Sequence, residues 1–259
     1  MSNDSSYKIF KQTIGERRIE KLDHLALEEP LEIRVRGESI AVTMRTPGFD
    51  HELAVGFLFT EGLLQERTDV IEIAHCTSAE PDAFGNIINV FLAPYVRIDL
   101  EKLRRNVFAS SSCGICGKGS IESVHQKFPP LESDARVLPD LLSKLPELLR
   151  QGQKSFEQTG GLHAAAIFDL DGNLQVLRED VGRHNAVDKV IGWGFLNNKV
   201  PFSNQILMVS GRASFEIMQK SLAAQIPIVA AVSAPSSLAV DFARESNQTL
   251  VGFLRGNTF

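Results

Sequence analysis

The residues best suited to chemistry are two cysteines, Cys113 and Cys116, which are separated by two residues within a serine- and glycine-rich stretch, residues 110–120. Small polar residues bury little apolar surface, so we expect this stretch to form an exposed loop. The ammonium group of Lys118, together with the N-terminus of a helix expected to begin near Gly119, favours the thiolate form of the sulfurs. Because the thiolate is the nucleophilic form, the spacing predicts thiol chemistry in which the second cysteine resolves what the first one carries.

A Cys-x-x-Cys pair by itself is typical of zinc sites, disulfide oxidoreductases and sulfur carriers alike. Structural zinc normally requires four ligands and often takes them from two such pairs, whereas this chain has one further cysteine, Cys76, and no second pair. His75, Cys76 and His125 are the residues that can still converge on a metal. An unreactive pair in a loop is the other open interpretation. We expect thiol chemistry and no bound metal.

Composition restricts the class of protein. The 259 residues are 43% hydrophobic and 23% charged, which is typical of a folded soluble protein with one large or two modest domains. The net charge of -5, without a basic block, argues against general nucleic-acid binding. No apolar run reaches the roughly 18 residues of a membrane span, and the polar start of the chain is unlike a signal peptide. With an odd cysteine count, these features predict a cytoplasmic protein that has no membrane partner.

The first hundred residues have the pattern of a small α+β unit. Strands are predicted at 31–35, 40–44 and 86–91, and helices at 50–59 and 99–105. The first two strands flank Gly37 and form a hairpin, and Asp50 caps the first helix. We place a domain boundary near residue 108. The N-terminal α+β domain then covers 1–108, and a second domain covers 109–259 with the cysteine loop at its start.

The second domain alternates strands and helices. Strands are predicted at 162–168, 174–177, 206–210, 228–232 and 249–253, and helices at 183–195, 214–224 and 236–244. A turn signal at 169–173 joins the first two strands into a hairpin. This order predicts an α/β fold with a central, largely parallel sheet and helices on both faces. In such sheets ligands bind beyond the carboxyl ends of the strands.

Polar residues gather at those strand ends. The segment Ser210–Ser214 follows a strand and opens a helix, so its serines, its arginine and its free N–H groups can hold an anion. A second polar cluster at the start of a helix comprises Arg183, His184, Asn185 and Asp188. His184 and Asp188 are one helical turn apart, and His184 can orient a ligand or transfer a proton. Ordinary turn chemistry and a solvated helix end are the structural alternatives for the two segments.

Several of these segments fall into a recognisable order along the chain. The blocks are Ser112–Lys118, Thr159–Ala164, Glu179–Lys189, Val209–Arg212 and Gly252–Gly256. Together they resemble the FdhD family of formate dehydrogenase accessory sulfurtransferases. The blocks span nearly the whole chain, and five of them in the same order are far more specific than any single one.

The resemblance implies a sulfur carrier, or sulfurtransferase, that takes persulfide sulfur from a cysteine desulfurase. It passes the sulfur to the molybdenum cofactor, a bis-molybdopterin guanine dinucleotide that formate dehydrogenase needs. Carried over by position, the persulfide-bearing cysteine is Cys113, and Cys116 is its partner. The implied cofactor-binding residues are Phe253, Leu254, Arg255, Gly256, Asn257 and Thr258. An arginine offers a forked donor for phosphate or guanine, and a glycine lets the backbone come close, although the residues themselves predict only an ordinary last strand.

The resemblance also implies partners and a fold. The expected partners are a cysteine desulfurase, formate dehydrogenase and the guanine dinucleotide cofactor, and two symmetric cofactor halves favour a homodimer. The second domain is expected to have a cytidine-deaminase-like fold beside the smaller α+β domain. His163 falls where a deaminase carries its first zinc ligand, but three alanines follow it, so the catalytic glutamate is missing. Deamination is therefore not expected, and His163 either lines the cofactor pocket or is satisfied in the core.

Two other classes of function stay open on the residues alone. A thiol-disulfide redox protein would use the same cysteine pair as a reversible dithiol. A non-catalytic cofactor-binding chaperone would need the arginines but neither thiol.

Overall fold

The computed structural model of the chain describes residues 4–77, 85–97, 124–125 and 127–259. Four sequence predictions concern residues outside these ranges. They are the loop with Cys113 and Cys116, the helix at 99–105, the start of a helix near Gly119 and the domain boundary near residue 108.

The N-terminal half contains a two-stranded hairpin and a four-stranded sheet. Its strands are β1 (Asp4–Lys11), β2 (Ile19–Ala26), β3 (Glu29–Val35), β4 (Glu38–Arg45), β5 (Val70–His75) and β6 (Ile87–Leu92). The sheet has the order β4-β3-β6-β5, and among the described residues β1 pairs with β2 alone. The predicted β3–β4 hairpin and the strand β6 are confirmed, each with slightly different ends. The β1–β2 hairpin was not predicted, because charged residues interrupt its apolar alternation and none of residues 5–26 is buried.

Helix α1 (Asp50–Thr60) is confirmed, but the prediction that Asp50 caps it is wrong. Phe49 occupies the cap position with a φ of 58°, and no side chain in the described part of the chain caps the helix. The Asp50 carboxylate instead accepts hydrogen bonds from the buried Arg45 guanidinium, with Nε to Oδ1 and Nη2 to Oδ2 both at 3.1 Å. This forked pairing draws Asp50 away from the helix end, because Arg45 is 2% exposed and a buried guanidinium requires a carboxylate.

The C-terminal half is built on a five-stranded mixed sheet. Its strands are β7 (His163–Asp169), β8 (Leu174–Asp180), β9 (Gln205–Val209), β10 (Ile228–Ala231) and β11 (Thr249–Val251), in the order β11-β10-β9-β7-β8. The β7–β8 hairpin is confirmed. The expectation of a largely parallel sheet is wrong in part, since β9, β10 and β11 are parallel whereas β7 runs antiparallel to both neighbours. The hairpin turn accounts for the antiparallel pairing of β7 with β8, whereas the antiparallel pairing of β7 with β9 is a contact between segments distant in sequence.

Helices cover both faces of this sheet, as predicted. They are α2 (Pro139–Leu142), α3 (Leu145–Gly152), α4 (Lys154–Thr159), α5 (Arg183–Leu196), α6 (Phe215–Ala223) and α7 (Ser237–Glu245). Alternate side chains of β7 point to opposite faces, so Ala165 and Ile167 are buried with α5–α7, while Ala164, Ala166 and Phe168 are buried with α2 and α3. Helices α2–α4 were not predicted.

The two sheets share one hydrophobic core. A single cluster of buried side chains runs from β3 and β6 through α1 and α5 to β7 and β9. Helices α1 and α5 cross where each has a glycine, because a Cβ atom on Gly56 would overlap the Asp188 carbonyl and one on Gly192 would overlap the Glu52 carbonyl. The backbones therefore touch directly at this crossing, which fixes the C-terminal sheet against the N-terminal one.

No helix within the described part of the chain is both long and apolar enough to cross a membrane.

Candidate functional site

Three loops meet at the carboxyl edge of β9, β10 and β11, where the sequence predicts a ligand. The loops are residues 210–214, 233–236 and 252–258. Ala213 forms a parallel bridge with Pro235, and the Ser236 amide donates to the Ala213 carbonyl at 3.0 Å. The Phe253 amide donates to the Ser233 carbonyl at 3.1 Å, so the last loop lies directly beside the second. We call this row of loops the sheet edge.

The predicted cofactor-binding stretch forms a tight turn at the sheet edge. Strand β11 ends at Val251, before the predicted limit of residue 253. The amides of Arg255 and Thr258 donate to each other's carbonyl oxygens at 3.0 and 3.1 Å, and Gly256 has a φ of +52°. The exposed Arg255 side chain is oriented by a 3.0 Å bond from Nε to the Val232 carbonyl. The turn therefore presents an arginine, an exposed Phe253 ring and backbone groups at one end of the row.

The serines of the segment Ser210–Ser214 have structural partners. The Ser210 hydroxyl accepts a hydrogen bond from the Ala164 amide at 2.9 Å, which ties the loop to β7. The Ser214 side chain caps α6 by accepting from the Ile217 amide. Turn chemistry thus accounts for both serines, whereas Arg212 is exposed at the edge and is the residue of this segment suited to bind an anion.

The polar segment 178–189 divides into residues that hold the fold and residues that face the sheet edge. The Asp180 carboxylate is completely buried and binds the Lys189 ammonium at 2.7 Å. It also accepts hydrogen bonds from the amides of Thr46 and Gly182 and from the Asn185 side chain, at 2.8–3.2 Å. These bonds join β8 and α5 to the end of β4. Asn185, a member of the polar cluster that the sequence indicated, therefore has structural partners.

Asp188 is likewise part of the core. Its carboxylate accepts two hydrogen bonds from the Lys220 ammonium, at 2.8 and 2.9 Å, and one from the Thr60 hydroxyl at 2.9 Å. Burial raises the pKa of Asp188 against the opposing pull of Lys220. This pair links α1, α5 and α6. His184 and Asp188 thus lie one turn apart on α5 but have different partners.

Arg183 and His184 are the members of the segment that lie at the sheet edge. The His184 Nε2 atom is 2.9 Å from the Glu216 carboxylate and 3.2 Å from the Ser214 hydroxyl. A Cβ atom added to Gly211 would lie 3.4 Å from His163 Nδ1 and 3.7 Å from Arg183 Cβ, so the loop, His163 and Arg183 adjoin. Sequence reasoning missed Glu216, and the only available signal was an acidic residue in the first turn after the Ser214 cap.

The contacts of His184 do not form a hydrolytic Ser-His-Glu arrangement. In that arrangement the serine and the carboxylate bind opposite ring nitrogens, so that a proton can pass through the imidazole. Here both contacts are made through Nε2. Since Ser214 also caps α6, the geometry makes it a structural serine rather than a nucleophile.

His163 begins β7 and is half-buried. Burial lowers its pKa, and the positive charges of Arg183 and His184 lower it further, outweighing the opposite effect of Asp180. The lowered pKa favours the neutral imidazole form of His163 beside Arg183. His163 lies at the sheet edge and not in the core.

The residues considered for zinc do not come together. His75 and Cys76 are neighbours at the end of β5, while the His125 ring stacks on Phe242 and lies 2.9 Å from the Ser246 hydroxyl. Among the described residues, no three His, Cys, Asp or Glu side chains form a group suited to a metal ion. Cys113 and Cys116 are outside those residues.

A separate cleft of about 890 Å³ opens beside the N-terminus of α1. The charged side chains that line this cleft form ion pairs with one another or with a neighbouring side chain. Arg45 binds Asp50, and Glu52 accepts two short bonds from Arg178, at 2.6 and 2.7 Å. The cleft therefore has a largely neutralised lining, in contrast to the arginines at the sheet edge.

Comparison with known proteins gives a consistent result across the whole chain. Residues 26–259 match the model of the FdhD/NarQ family. The protein named sulfur carrier protein FdhD in Streptomyces coelicolor is 53% identical, and the alignment covers 91% of this chain and 86% of that one. The protein of the same name in Mycobacterium tuberculosis is 48% identical, with 100% and 96% covered. A crystal structure from Desulfotalea psychrophila, described as a formate dehydrogenase accessory protein, superposes with a TM-score of 0.78 at 27% identity, covering 98% and 94% of the two chains.

Proposed function

The chain belongs to the FdhD/NarQ family, and from this membership we propose that it is a sulfur carrier that serves formate dehydrogenase. The observation that carries the proposal is the similarity to proteins named sulfur carriers over nearly the full length of both chains. The presence of the pair Cys113 and Cys116 in this sequence supports it, because a carrier of sulfur needs a nucleophilic thiol.

In the proposed reaction, the Cys113 thiolate attacks the terminal sulfur of a persulfide on a cysteine desulfurase. A bond forms between the Cys113 sulfur and that terminal sulfur, and the desulfurase cysteine leaves as a thiolate. Cys113 then carries a persulfide. If Cys116 attacks the Cys113 sulfur, sulfide is released and a Cys113–Cys116 disulfide forms, which a cellular dithiol must reduce before the next cycle.

We infer that the acceptor is the molybdenum cofactor, a bis-molybdopterin guanine dinucleotide, held as a substrate at the sheet edge. The residues Phe253, Leu254, Arg255, Gly256, Asn257 and Thr258 would bind its nucleotide portion. The turn fits this task because an exposed guanidinium can pair with phosphate oxygens in a forked geometry, and an exposed aromatic ring offers a face for a base. Leu254 is completely buried and anchors the turn rather than contacting a ligand through its side chain.

The remaining parts of the proposal concern the context of the reaction. We infer a cytoplasmic protein that interacts with a cysteine desulfurase and with formate dehydrogenase and acts as a homodimer. We also infer that residues 109–259 form a cytidine-deaminase-like domain and residues 1–108 a smaller α+β domain. The mixed sheet with helices on both faces is compatible with that fold, although it lacks the glutamate that deamination requires.

The first test is intact-protein mass spectrometry after incubation with a cysteine desulfurase and free cysteine. We expect the wild-type protein to gain one sulfur atom that a reductant removes, and Cys113→Ala to gain none. Cys76→Ala is the matched control, because it removes a thiol at the end of β5 and should load normally. Equal loading of Cys113→Ala and wild type would contradict the assignment.

Two further outcomes would favour the other classes of function. Reduction of a model disulfide without any desulfurase, together with no sulfur loading, would indicate a redox protein. Full formate dehydrogenase activity in cells that carry only the Cys113→Ala/Cys116→Ala variant would indicate a cofactor-binding chaperone.

A further inference from the structure

The β1–β2 hairpin carries large apolar side chains that it does not bury. Their exposed fractions run from 42% to 100%, and the residues are Tyr7, Phe10, Ile14, Ile19, Leu22 and Leu25. A two-stranded hairpin by itself is only marginally stable in water, and grouped apolar side chains at a surface mark interaction sites. The hairpin ends at residue 26, where the match to the family begins, so the chemistry that the family shares does not account for it. These observations indicate a surface that binds a partner chain.

The outer edge of β1 is the part of the hairpin that is open to such a partner. The hairpin contacts α4 through β2, and among the described residues no strand other than β2 pairs with β1. The backbone groups on the outer edge of β1 therefore offer a ladder of hydrogen bonds to a further strand. Within the hairpin, Lys8 lies 3.2 Å from Glu20, and Lys21 lies 3.3 Å from Asp23. These charges cancel in pairs, so they do not repel a second copy of the same strand.

One register lets β1 pair with β1 of a second copy about a two-fold axis perpendicular to the ribbon. Such an axis makes the strands antiparallel, and residues directly opposite each other then share a face of the sheet. Because the faces alternate along a strand, the axis must pass through a residue and not between two residues. An axis at Ser6 pairs only residues 4–8, and an axis at Lys8 places two ammonium groups opposite each other. An axis at Tyr7 pairs residues 4–10 and brings two aromatic rings together.

The register with Tyr7 on the axis also joins apolar side chains of the two copies. Tyr7, Ile9 and Leu25 lie on one face of the ribbon, and within the hairpin Ser5 is opposite Leu25. In the paired sheet, Ile9 of each copy is opposite Ser5 of the other. Ile9 of one copy and Leu25 of the other then flank a small serine and can pack over it. Removal of this apolar face from water favours the pairing.

We propose that the β1–β2 hairpin is a dimerisation arm that pairs along β1 with the same strand of a second copy, with Tyr7 on the two-fold axis. The arm rests on the homodimer included in the proposed function and names the surface that forms it. The two hairpins form one four-stranded antiparallel sheet in the order β2-β1-β1-β2. This sheet closes the open edges of both β1 strands.

Analytical ultracentrifugation of the full chain tests the arm. We expect wild type to be a dimer. Tyr7→Lys replaces the aromatic pair on the axis by two like charges and should raise the dimer dissociation constant about tenfold or more. Ile14→Lys is the matched control, because Ile14 is completely exposed between the two strands and outside the pairing, so this variant should dimerise like wild type. A monomeric wild type, or equal dissociation constants for Tyr7→Lys and wild type, would overturn the arm.

Disulfide trapping tests the register. In a background with Cys76, Cys113 and Cys116 replaced by serine, Tyr7→Cys places two thiols opposite each other, within the range of a disulfide bond. Lys11→Cys, exposed at the end of the same strand, is the control. In the proposed register its two copies lie about 27 Å apart, at roughly 3.4 Å per residue. We expect a cross-linked dimer for Tyr7→Cys and not for Lys11→Cys, and equal cross-linking of the two would overturn the proposal.

Failure of the arm can be told apart from failure of the proposed function. The mass-spectrometric loading of Cys113 does not depend on the oligomeric state measured here. A monomer that loads sulfur would reject the arm and leave the sulfur carrier in place, whereas a dimer that depends on Tyr7 but loads no sulfur would reject the sulfur carrier alone. A dimer that survives deletion of residues 1–25 would reject the arm but not the homodimer.

Discussion

Individual side chains in the segment 178–189 have opposite tasks although they are adjacent in sequence. Arg183 and His184 face the sheet edge, while Asp180, Asp188 and Lys189 are buried and paired. The pairing partners come from distant segments, so a motif seen in sequence cannot tell a buried ion from a ligand-facing one. A charge taken out of water requires a fixed partner, so the buried side chains of this segment stabilise the fold.

The lowered pKa of His163 makes the stability of the folded protein depend on pH. Its pKa is lower in the folded protein than in the unfolded chain, so the unfolded chain binds more protons as the pH falls below the ordinary histidine value of about 6.5. The His163 contribution to stability is therefore complete above that value and is lost on acidification. Urea unfolding at pH 7 and pH 5 should show a smaller acid-induced loss for His163→Asn than for wild type.

A matched variant separates this effect from general acid sensitivity. His24→Asn changes an exposed histidine of the β1–β2 hairpin, and it should lose as much stability between the two pH values as wild type does. An equal loss in His163→Asn and wild type would contradict the prediction.

The pair of Asp188 and Lys220 should be strongly coupled. Lys220→Met leaves a buried carboxylate without its ammonium, and removing one partner of a buried pair typically costs about 3–5 kcal/mol. The double variant Asp188→Asn/Lys220→Met removes both charges and should be more stable than the Lys220→Met variant. Urea unfolding of the four proteins in a double-mutant cycle measures the coupling, and additive effects would show that the pair is not coupled.

Among the elements, the crossing of α1 and α5 determines how the two halves fit. Neither helix has a strongly amphipathic pattern, because both are buried on several sides. Their contact depends on two glycines, Gly56 and Gly192, that allow backbone-to-backbone approach. The sequence predicted both helices, but not that they pack on each other.

Gly56→Ala should therefore be destabilising despite the higher helix propensity of alanine. Its Cβ atom would meet the rigid Asp188 carbonyl, so the helices must separate, and overpacking of this kind costs about 1–3 kcal/mol or more. Gly152→Ala at the end of α3 is the control, since its nearest neighbour, 2.6 Å away, is the end of the flexible Leu177 side chain. Thermal unfolding should show a clearly larger decrease in melting temperature for Gly56→Ala than for Gly152→Ala. Equal melting temperatures of the two variants would contradict the close-contact explanation.

For the whole molecule, the shared core implies that the two halves unfold together, whereas the β1–β2 hairpin stands apart. The hairpin contributes no residue to either buried cluster, and it contacts the body through β2 and α4. Deleting residues 1–25 should lower the melting temperature by only a few degrees, because little apolar surface is lost. A single calorimetric transition is expected with and without the hairpin, and a complete loss of the folded state on deletion would contradict this view.

The sequence predicted local structure well and long-range arrangement poorly. Apolar runs and turn signals identified the strands β3, β4 and β6–β11 and the helices α1 and α5–α7, because these patterns depend on nearby residues. The direction of β7 and the capping of α1 were mispredicted. The direction of β7 depends on its pairing with β9, which lies far along the chain. The capping of α1 depends on Arg45, only five residues before Asp50, but the burial of Arg45 is not visible in the local sequence. At the candidate site, the sequence singled out the strand ends and Arg183 but not Glu216.

The buried network around segment 179–189 has a consequence for recognising relatives. Asp180, Asn185, Asp188 and Lys189 make this block distinctive, yet they secure the junction of the two halves and do not face the sheet edge. If Cys113 and Cys116 carry the sulfur, as we propose, a gene duplicate could lose both cysteines, and with them sulfur transfer, and still match the family over this block. On that proposal, Cys113 and Cys116 are better markers of sulfur transfer in new genomes than a match to residues 179–189.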